Sequence, residues 1–466
     1  MPILAAYAVP HPPLIIPAVG RGREQGIQAT IDAYREVARR IAALRPDTIV
    51  VSSPHSVMYR DYNHVSPGRS AEGSFAQFGA PQARYQATYD QDFVRALAAA
   101  CDADGLPAGT LGERDPSLDH ATMIPLHFIQ EEYQDFRLVR IGLSGLSPAH
   151  HYRLGMLVQR VASRLGRRVV YVASGDLSHK LAADGPYGFS PDGPVFDEEI
   201  GDIFRTGDFL GLLTMDPGHA ERAAECGLRS FQMMAGALDR TAVTAELLSL
   251  EGPFGVGYWV GAFTPAGPEG ADESRAFLDR YEDWHRTDMA ARKAAEDPLV
   301  RLARLSVETY VREGHRASVP QGLPDELYRR RAGCFVSLKE NGELRGCIGT
   351  ISPVRDSLAE EIVANAVSAC AHDPRFSPVE EDELAELVYD VDVLGDPEDI
   401  SGPEELDPRR YGVIVSTADG RRGLLLPDLD GVDTVEEQVD IAARKGHIDL
   451  VGDEYSLQRF EVVRHT

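Results

Sequence analysis

The sequence predicts an α/β N-terminal domain with a mostly parallel sheet and helices on both faces, followed by an α+β C-terminal domain. Three observations support this prediction. Strand-like and helix-like segments alternate in the first part of the chain, hairpin signals dominate the last third, and a polar, charged stretch separates the two. Alternating strands and helices are typical of parallel sheets, whereas hairpins interspersed with helices are typical of α+β domains.

The first strand, helix and strand unit consists of residues 2–9, 27–44 and 48–52. Apolar residues at three- to four-residue spacing predict the helix, and short apolar runs bounded by turn residues predict the strands. The same pattern recurs later in the chain, at residues 137–143, 147–165 and 168–174. Because such units join parallel strands through a helix, these segments are expected to form one parallel sheet.

The chain is expected to divide into residues 1–265, a linker at 266–294 and a C-terminal domain at 295–466. Its 466 residues exceed what one hydrophobic core usually serves, since single cores stop growing near about 250–300 residues. The linker region combines a loop-like stretch with a polar, charged helix, a composition that suits a connector.

The C-terminal region carries strong turn signals. Asn341-Gly342 and Asp419-Gly420 each lie between short apolar segments, and these dipeptides favour the two-residue turns of β-hairpins. After the first hairpin a helix is predicted from Pro353, with Ser352 as its N-cap, because proline is favoured at the first helical position.

Composition disfavours several kinds of partner and location. A formal net charge of −26 would repel a phosphate backbone, so a nucleic-acid ligand is not expected. No apolar run approaches the length needed to span a membrane, and the N-terminus lacks the basic start of a signal peptide. An odd number of cysteines without CxxC spacing suits a reducing compartment, so we expect a cytoplasmic protein with Cys101, Cys226, Cys334, Cys347 and Cys370 unpaired.

Three histidines follow predicted strands at equivalent positions. His11 follows the first strand, His55 the next strand and His179 a later one. The carboxyl ends of parallel strands meet at one edge of a sheet, where open α/β domains bind ligands. Prolines beside His11 and His55 restrict their backbones. Position alone leaves a joint ligand-binding role and separate packing roles about equally supported.

Four motifs in order give these histidines a family context. They are PHPP at residues 10–13, SPH at 53–55, LDHATMIPL at 118–126 and SGDLSH at 174–179. Together they resemble the LigB-type class III extradiol dioxygenases and the related Memo proteins. The resemblance covers about residues 1–265, and the ordered set is far more specific than any single motif.

The resemblance implies roles for individual residues. His11 and His55 match the two histidine iron ligands of the dioxygenases, and His179 matches the acid/base histidine beside the metal. His120 matches a second histidine of the family's pocket. Asp176 is placed three residues before His179, where its carboxylate is expected to orient that imidazole.

The third ligand is ambiguous between two adjacent residues. It is a glutamate in the dioxygenases and a cysteine in Memo, and this chain has both, as Glu225 and Cys226. Two imidazoles and a carboxylate form the face that oxygen-activating Fe(II) sites use, so we favour Glu225 and Fe(II). If Cys226 is the ligand, the softer site accepts copper or zinc more readily, and ring cleavage becomes doubtful.

The C-terminal region resembles the AMMECR family over about residues 295–466, through the hexapeptide LRGCIG at residues 344–349. Arg345 is expected to contact an anion or a partner. Cys347 is either a nucleophile or cofactor contact, or a small residue packed between glycines that permit close backbone approach. The fusion of both regions resembles proteins of the AmmeMemoRadiSam system, which implies a radical SAM enzyme as partner; this chain has no CxxxCxxC motif of its own.

Three functional hypotheses follow from these residues and resemblances. The first is an Fe(II)-dependent, dioxygenase-like enzyme that acts on a phenolic or catechol-type small molecule. The second is a Memo-like module that holds a metal or ligand without turnover, while the AMMECR-like domain recruits a partner. The third is a metal-assisted hydrolase, since a Lewis-acidic metal beside a histidine also suits hydrolysis.

Overall fold

A computed structural model describes residues 2–114, 117–266, 272–429 and 431–466. Contacts divide the chain into two units, Met1–His285 and Arg286–Thr466. The division falls within the predicted linker, and much of that linker is helical. Phe277, Leu278 and Tyr281 are buried in the hydrophobic core of the N-terminal unit, so the first turns of this helix belong to that unit.

The strands of the N-terminal unit are β1 (Ile3–Val9), β2 (Thr48–Ser53), β3 (Asn63–His64), β4 (Ser70–Phe75), β5 (Ala80–Thr88), β6 (Ala108–Gly109), β7 (Arg137–Gly142), β8 (Val169–Ser174), β9 (Val243–Glu251) and β10 (Tyr258–Pro265). Its helices are α1 (Pro17–Gly20), α2 (Gln28–Leu44), α3 (Gln91–Asp104), α4 (His120–Glu132), α5 (Pro148–Leu165), α6 (Asp192–Thr206), α7 (Leu210–Thr214), α8 (Pro217–Ala223) and α9 (Leu228–Ala237). Helix α10 (Phe277–Ala295) follows.

The central sheet of this unit has the strand order β7-β2-β8-β1-β10-β9. Strands β7, β2, β8 and β1 are parallel to one another, whereas β10 is antiparallel to β1 and β9. The predicted mostly parallel sheet is therefore confirmed. Strands β2, β8 and β1 are direct neighbours, which brings their carboxyl ends to one edge.

Both faces of the sheet are covered by helices. Val50 and Tyr171 face one hydrophobic cluster, which includes residues of α3, α5 and α9. Val51 and Val172 face the opposite cluster, which includes residues of α2 and α4. Successive side chains of a strand point to opposite faces, so strands that are apolar at every position are buried on both sides, as parallel sheets require.

The C-terminal unit is an α+β domain, as predicted. Its strands are β11 (Cys334–Glu340), β12 (Glu343–Gly349), β13 (Leu387–Leu394), β14 (Glu398–Ile400), β15 (Gly412–Thr417), β16 (Arg422–Leu425), β17 (Tyr455–Phe460) and β18 (Val462–His465). They form two sheets, β12-β11-β13-β18 and β14-β17-β15-β16. Its helices are α11 (Pro298–Glu313), α12 (Asp325–Arg329), α13 (Leu358–Ala371) and α14 (Val435–Lys445).

Two local predictions concern this unit, the hairpin at residues 341–342 and the start of the helix that follows it. Asn341 and Gly342 both have positive φ, 52° and 82°, and connect β11 to β12 as the hairpin prediction required. The predicted start of the next helix is wrong: α13 begins at Leu358 with Ser357 as N-cap. The Glu361 carboxylate accepts hydrogen bonds from the backbone N–H of residues 354 and 355, which holds the preceding segment as a loop.

The described residues bear on two expectations, one about membrane-spanning helices and one about the cysteines. None of the helices there combines the length and apolar character that a membrane crossing requires. All five cysteines are free thiols.

Candidate metal centre

The candidate centre lies at the carboxyl ends of β1, β2 and β8. His11 follows β1, His55 follows β2 and Asp176 follows β8. Because these three strands are neighbours in the sheet, short loops suffice to bring the side chains together. The edge of the sheet at which ligands were expected is thus where the predicted residues meet.

Three potential ligand atoms converge there. The Nε2 atoms of His11 and His55 are 3.1 Å apart, and the Sγ of Cys226 lies 3.6 Å from Nε2 of His11. All three atoms lie within 4.8 Å of one another. Two imidazole nitrogens and a thiol sulfur at this separation form a possible His/Cys metal site.

Ser174 determines which nitrogen of His11 is free. The Ser174 hydroxyl donates its hydrogen to the carbonyl of Ala121 at 2.7 Å, so it must accept from Nδ1–H of His11 at 3.1 Å. The proton of the imidazole therefore lies on Nδ1, and the lone pair of Nε2 points at the centre. Metal-binding histidines are commonly held in this way by their second nitrogen.

Asp176 fixes the loop that carries His11. Its Oδ1 accepts a hydrogen bond of 2.6 Å from the backbone N–H of His11, and its Oδ2 lies 3.9 Å from Nε2 of the same residue. The backbone N–H of Asp176 donates to Sγ of Cys226 at 3.4 Å. Burial raises the pKa of Asp176 to about 7, because the low-dielectric interior disfavours the charged carboxylate.

Glu225 and Cys226 point to different places. The Glu225 carboxylate accepts a 2.6 Å hydrogen bond from the backbone N–H of Leu228, at the start of α9, where unpaired N–H groups favour a carboxylate. Cys226 instead joins the two histidines. Burial raises the pKa of the Cys226 thiol well above its ordinary value, so the thiol is protonated at neutral pH when no cation is bound.

His120 and His179 complete the surroundings. The ring of His120 lies 4.2 Å from that of His55, centroid to centroid, and 5.3 Å from the ring of Phe78. Nδ1–H of His179 donates a 2.6 Å hydrogen bond to the carbonyl of Ala224. A carbonyl only accepts, so the second nitrogen of His179 carries the lone pair, as a general base requires.

The four imidazoles of this region are held neutral. Burial lowers the pKa of His11 well below its ordinary value, and His55, His120 and His179 lower it further. Burial, assisted by His55, lowers the pKa of His120 to about 4. Burial also lowers the pKa values of His55 and His179. Neutral imidazoles present lone pairs, which is the form that binds metal ions.

The expected contact between Asp176 and His179 is replaced by two others. Asp176 holds the backbone of His11, and the carbonyl of Ala224 orients His179. Ala224 adopts a left-handed conformation with φ of 54°, which turns its backbone at the end of α8. A backbone acceptor supplied by a distant turn thus takes the place of the nearby carboxylate.

A cavity of about 820 Å³ lies beside His55 and His120. We call it the histidine cavity; its lining includes His55, His120, Ser56, Asp119 and Arg140. It offers a small molecule access to the edge of the candidate metal centre.

Comparison with known proteins assigns the two units. Residues 5–261 match the family described as the catalytic LigB subunit of aromatic ring-opening dioxygenase. The chain belongs to the LigB family. Residues 300–465 match the AMMECR1 family, so one chain carries a LigB-family domain and an AMMECR1 domain.

Relatives match either nearly the whole chain or about a third of it. The protein CA_C1420 of Clostridium acetobutylicum is 39% identical over 467 residues, covering 98% of each chain. A Thermotoga maritima protein is 50% identical over 171 residues, which are 36% of this chain and 98% of that protein. The crystal structure of uncharacterized protein PH0010 from Pyrococcus horikoshii is 32% identical, covers 36% of this chain and 88% of that chain, and has a TM-score of 0.33. The fusion of both domains thus extends over the whole length of the Clostridium protein.

In the AMMECR1 domain, the side chain of Arg345 is engaged within its own domain. Its Nε and Nη2 donate to the Glu383 carboxylate at 2.5 and 3.0 Å, and its Nη1 donates to the carbonyl of Ser377 at 3.0 Å. The side chain is 11% exposed. This arginine joins β12 to the segment that precedes β13, and it does not present a free guanidinium to an anion.

Cys347 is a half-buried residue of β12. Its sulfur accepts a hydrogen bond from the Ser337 hydroxyl at 3.2 Å, and its backbone N–H donates to Asp373 at 2.9 Å. Burial raises the pKa of its thiol. A raised pKa disfavours the thiolate that nucleophilic chemistry needs, so the packed-residue alternative agrees better with these surroundings.

Sequence reasoning missed three residues of the LigB-family site. Ser174 lies within the SGDLSH motif, yet its role depends on the carbonyl of Ala121, which the sequence does not place. Arg140 lies on β7 and Ser56 follows His55. One signal was available, the charge of Arg140 in the middle of the strand RLVRIG, since a buried charge usually has a specific partner or role.

Proposed function

We propose that the LigB-family domain binds one metal ion through Nε2 of His11, Nε2 of His55 and Sγ of Cys226. The observation that carries the proposal is the convergence of these three atoms within 4.8 Å. The protonated Nδ1 of His11, held by Ser174, supports it because it leaves Nε2 available. Without a cation, Nε2–H of His55 can donate to the lone pair of His11 Nε2 across this 3.1 Å; a bound metal ion would take the place of that proton.

The donor set indicates which metals fit. A thiolate and two imidazoles are softer than two imidazoles and a carboxylate, so Cu(I) or zinc is expected to bind more tightly than Fe(II). The Glu225 carboxylate, which would complete the harder set, is hydrogen-bonded at the start of α9. We therefore infer a Memo-like metal-binding module as the first candidate function.

The second candidate is an Fe(II)-dependent dioxygenase-like enzyme that acts on a phenolic or catechol-type molecule. Membership of the LigB family favours it. A bound metal would supply Lewis acidity to a substrate oxygen. His179, whose free nitrogen carries a lone pair, would take the proton of the substrate hydroxyl, and His120 would lie along the substrate in the histidine cavity.

The AMMECR1 domain is proposed to act with the LigB-family domain on one ligand or in one complex. Fusion in a single chain keeps both domains at high effective concentration. The resemblance to the AmmeMemoRadiSam system makes a radical SAM enzyme the proposed partner. Co-purification of the full chain with that enzyme, compared with a chain that carries Leu344→Ala at an exposed position of the same segment, tests whether the AMMECR1 domain contributes to the complex.

Anaerobic metal titration tests the first candidate. Full-length protein is titrated with Cu(I), zinc and Fe(II) against chelators of known affinity, and the bound metal is counted. One equivalent of copper or zinc, held more tightly than iron, is the expected result. A chain that binds none of the three under these conditions would remove the basis of both candidates.

Oxygen consumption with a panel of catechols separates the two candidates. Turnover with Fe(II) that disappears in His179→Ala, while the metal content is unchanged, supports the dioxygenase. His127→Ala is the matched control, since this histidine lies further along α4 and hydrogen-bonds to Tyr85. Stoichiometric metal without oxygen consumption supports the metal-binding module.

A further inference from the structure

The histidine cavity contains a buried cation whose hydrogen-bonding capacity is incompletely used. Arg140 is 3% exposed and lines the cavity. Its Nε donates to the Ser66 hydroxyl at 2.8 Å, and its Nη1 donates to the carbonyl of Ser117 at 2.6 Å. In the described part of the chain, nothing accepts a hydrogen bond from Nη2 of Arg140. Buried guanidinium groups are normally satisfied, so an open nitrogen on a cavity wall points to a ligand.

A second polar group on the same wall is also open. The hydroxyl oxygen of Ser56 is buried and, within the described residues, has no hydrogen-bond partner. Ser56 follows the candidate ligand His55 directly and lines the same cavity. A hydroxyl can donate to an acceptor, as the guanidinium does. Two open donors on one cavity wall are suited to a ligand that brings acceptors.

The acidic residue closest to Arg140 does not fill this role. Oδ2 of Asp119 lies 3.5 Å from Nη1 of Arg140, and no bond from Asp119 to Nη2 is found among the described residues. The Asp119 carboxylate already accepts from the Ser53 hydroxyl at 2.6 Å and from the N–H and hydroxyl of Thr122. It caps α4 and fixes Arg140, and it leaves Nη2 open.

We propose that the histidine cavity binds the anionic group of a small carboxylate-bearing ligand, with Nη2 of Arg140 and the hydroxyl of Ser56 as its donors. A charge-assisted hydrogen bond inside a cavity is stronger than a neutral one, so Arg140 selects for the anion. His55 and His120 line the same cavity and would contact the rest of the ligand. This last point rests on the proposed metal function, whereas anion binding itself needs no metal.

Calorimetric titration of the full chain with benzoate and with benzamide tests the proposal. The two probes have nearly the same shape and differ in charge. Benzoate is expected to bind about tenfold more tightly than benzamide or better, the effect of one hydrogen bond to a charged group. The preference is expected both in metal-free protein and in protein loaded with zinc.

Two variants locate the site. Arg140→Gln is expected to abolish the preference for benzoate, and Ser56→Ala to weaken benzoate about threefold to tenfold while leaving benzamide unchanged. Ser56→Ala removes an unpartnered hydroxyl and is not expected to harm folding, so it decides the question if Arg140→Gln fails to fold. Ser163→Ala, an exposed serine of α5, is the matched control.

The outcomes separate this proposal from the metal proposal. Equal affinity of the parent for benzoate and benzamide, or a preference that is undiminished in Ser56→Ala or in folded Arg140→Gln, would overturn the anion site. Benzoate binding that requires zinc would also overturn it, because the anion would then lie on the metal. A benzoate preference in a chain that binds no metal would leave the anion site standing and remove the metal site alone.

Discussion

The candidate metal centre and the LRGCIG segment each combine a cysteine with charged or basic residues, yet their polar atoms are used differently. In the metal centre, Nε2 of His11 and Nε2 of His55 face each other at 3.1 Å, with the Cys226 thiol beside them. In the segment, each guanidinium nitrogen of Arg345 donates to an acceptor of its own domain. Electron-pair donors that converge on one point can bind a metal ion. Hydrogen-bond donors that already have acceptors in their own domain instead stabilise the fold.

The contacts of each polar atom therefore distinguish the roles of the two segments. The two segments are similarly distinctive in sequence, and each contains residue types found at active sites. Only the partners of each atom distinguish a binding site from a structural contact.

Removal of either histidine is expected to have the largest effect. His11→Ala and His55→Ala each delete one of three ligands, so metal affinity should fall by more than about 100-fold, since outer-shell partners alone are worth about 10–100-fold. His55 is exposed, so its variant should keep the stability of the parent. Metal content after dialysis against a graded series of chelators measures the loss, with His127→Ala as control. Full metal retention by His55→Ala would refute the ligand assignment.

Substitution of Cys226 is expected to have the next largest effect on metal affinity, and substitution of the adjacent Glu225 is its control. Cys226→Ser should weaken Cu(I) and zinc binding about 10-fold to 100-fold, because a hydroxyl is a far poorer ligand for soft cations than a thiolate. Glu225→Gln should leave metal affinity unchanged and lower the free energy of unfolding by at most about 1 kcal/mol, because the amide oxygen can still accept from the N–H of Leu228 and only the negative charge at the start of α9 is lost. Anaerobic competition titration and thermal unfolding measure the two quantities. The reverse pattern would restore Glu225 as ligand and favour Fe(II).

Arg345 is expected to affect stability. Arg345→Ala breaks a largely buried ion pair with Glu383, which should cost the AMMECR1 domain about 2–3 kcal/mol. Hydrogen exchange of the β12 amides in the full chain measures the local free energy of opening. Cys347→Ser, in the same strand, is the control and should lower the free energy of opening by less than about 1 kcal/mol. If Arg345→Ala leaves exchange unchanged and abolishes binding of a partner, the segment is a binding site after all.

The change of metal affinity with pH is the smallest of these effects per pH unit. Its slope gives the number of protons that metal binding displaces. The pKa of Cys226 lies well above its ordinary value, so metal binding must displace one proton, whereas the neutral imidazoles release none. Above pH 7 the logarithm of the affinity should therefore rise by about one for each pH unit. Below pH 7 the dependence should steepen, because Asp176, with its pKa raised to about 7, holds a second proton that a nearby cation displaces. Competition titration across this range measures the slope, and Cys226→Ser should be independent of pH above 7.

Much of the fold was predictable because its signals are local. Helix α5, predicted over residues 147–165, begins at Pro148, because Ser147 is its N-cap and accepts a hydrogen bond from the N–H of His150. The hairpin at Asn341-Gly342 needed only a dipeptide that tolerates positive φ. The start of α13 was not predictable, since Ser352 and Ser357 are equally good caps, and the choice depended on Glu361, which lies in the helix itself.

The sequence by itself determined that His11 and His55 end strands of one parallel sheet, because alternation, helix periodicity and proline are properties of neighbouring residues. It did not determine which of Glu225 and Cys226 faces them. That choice depends on the position of Cys226 beside His11 and Asp176, which lie 215 and 50 residues away in the sequence. Likewise, only the packed chain shows that Arg345 is satisfied and that one nitrogen of Arg140 is open. The direction of a side chain is set by partners distant in sequence, so the tertiary structure alone decides which polar atoms remain for a ligand.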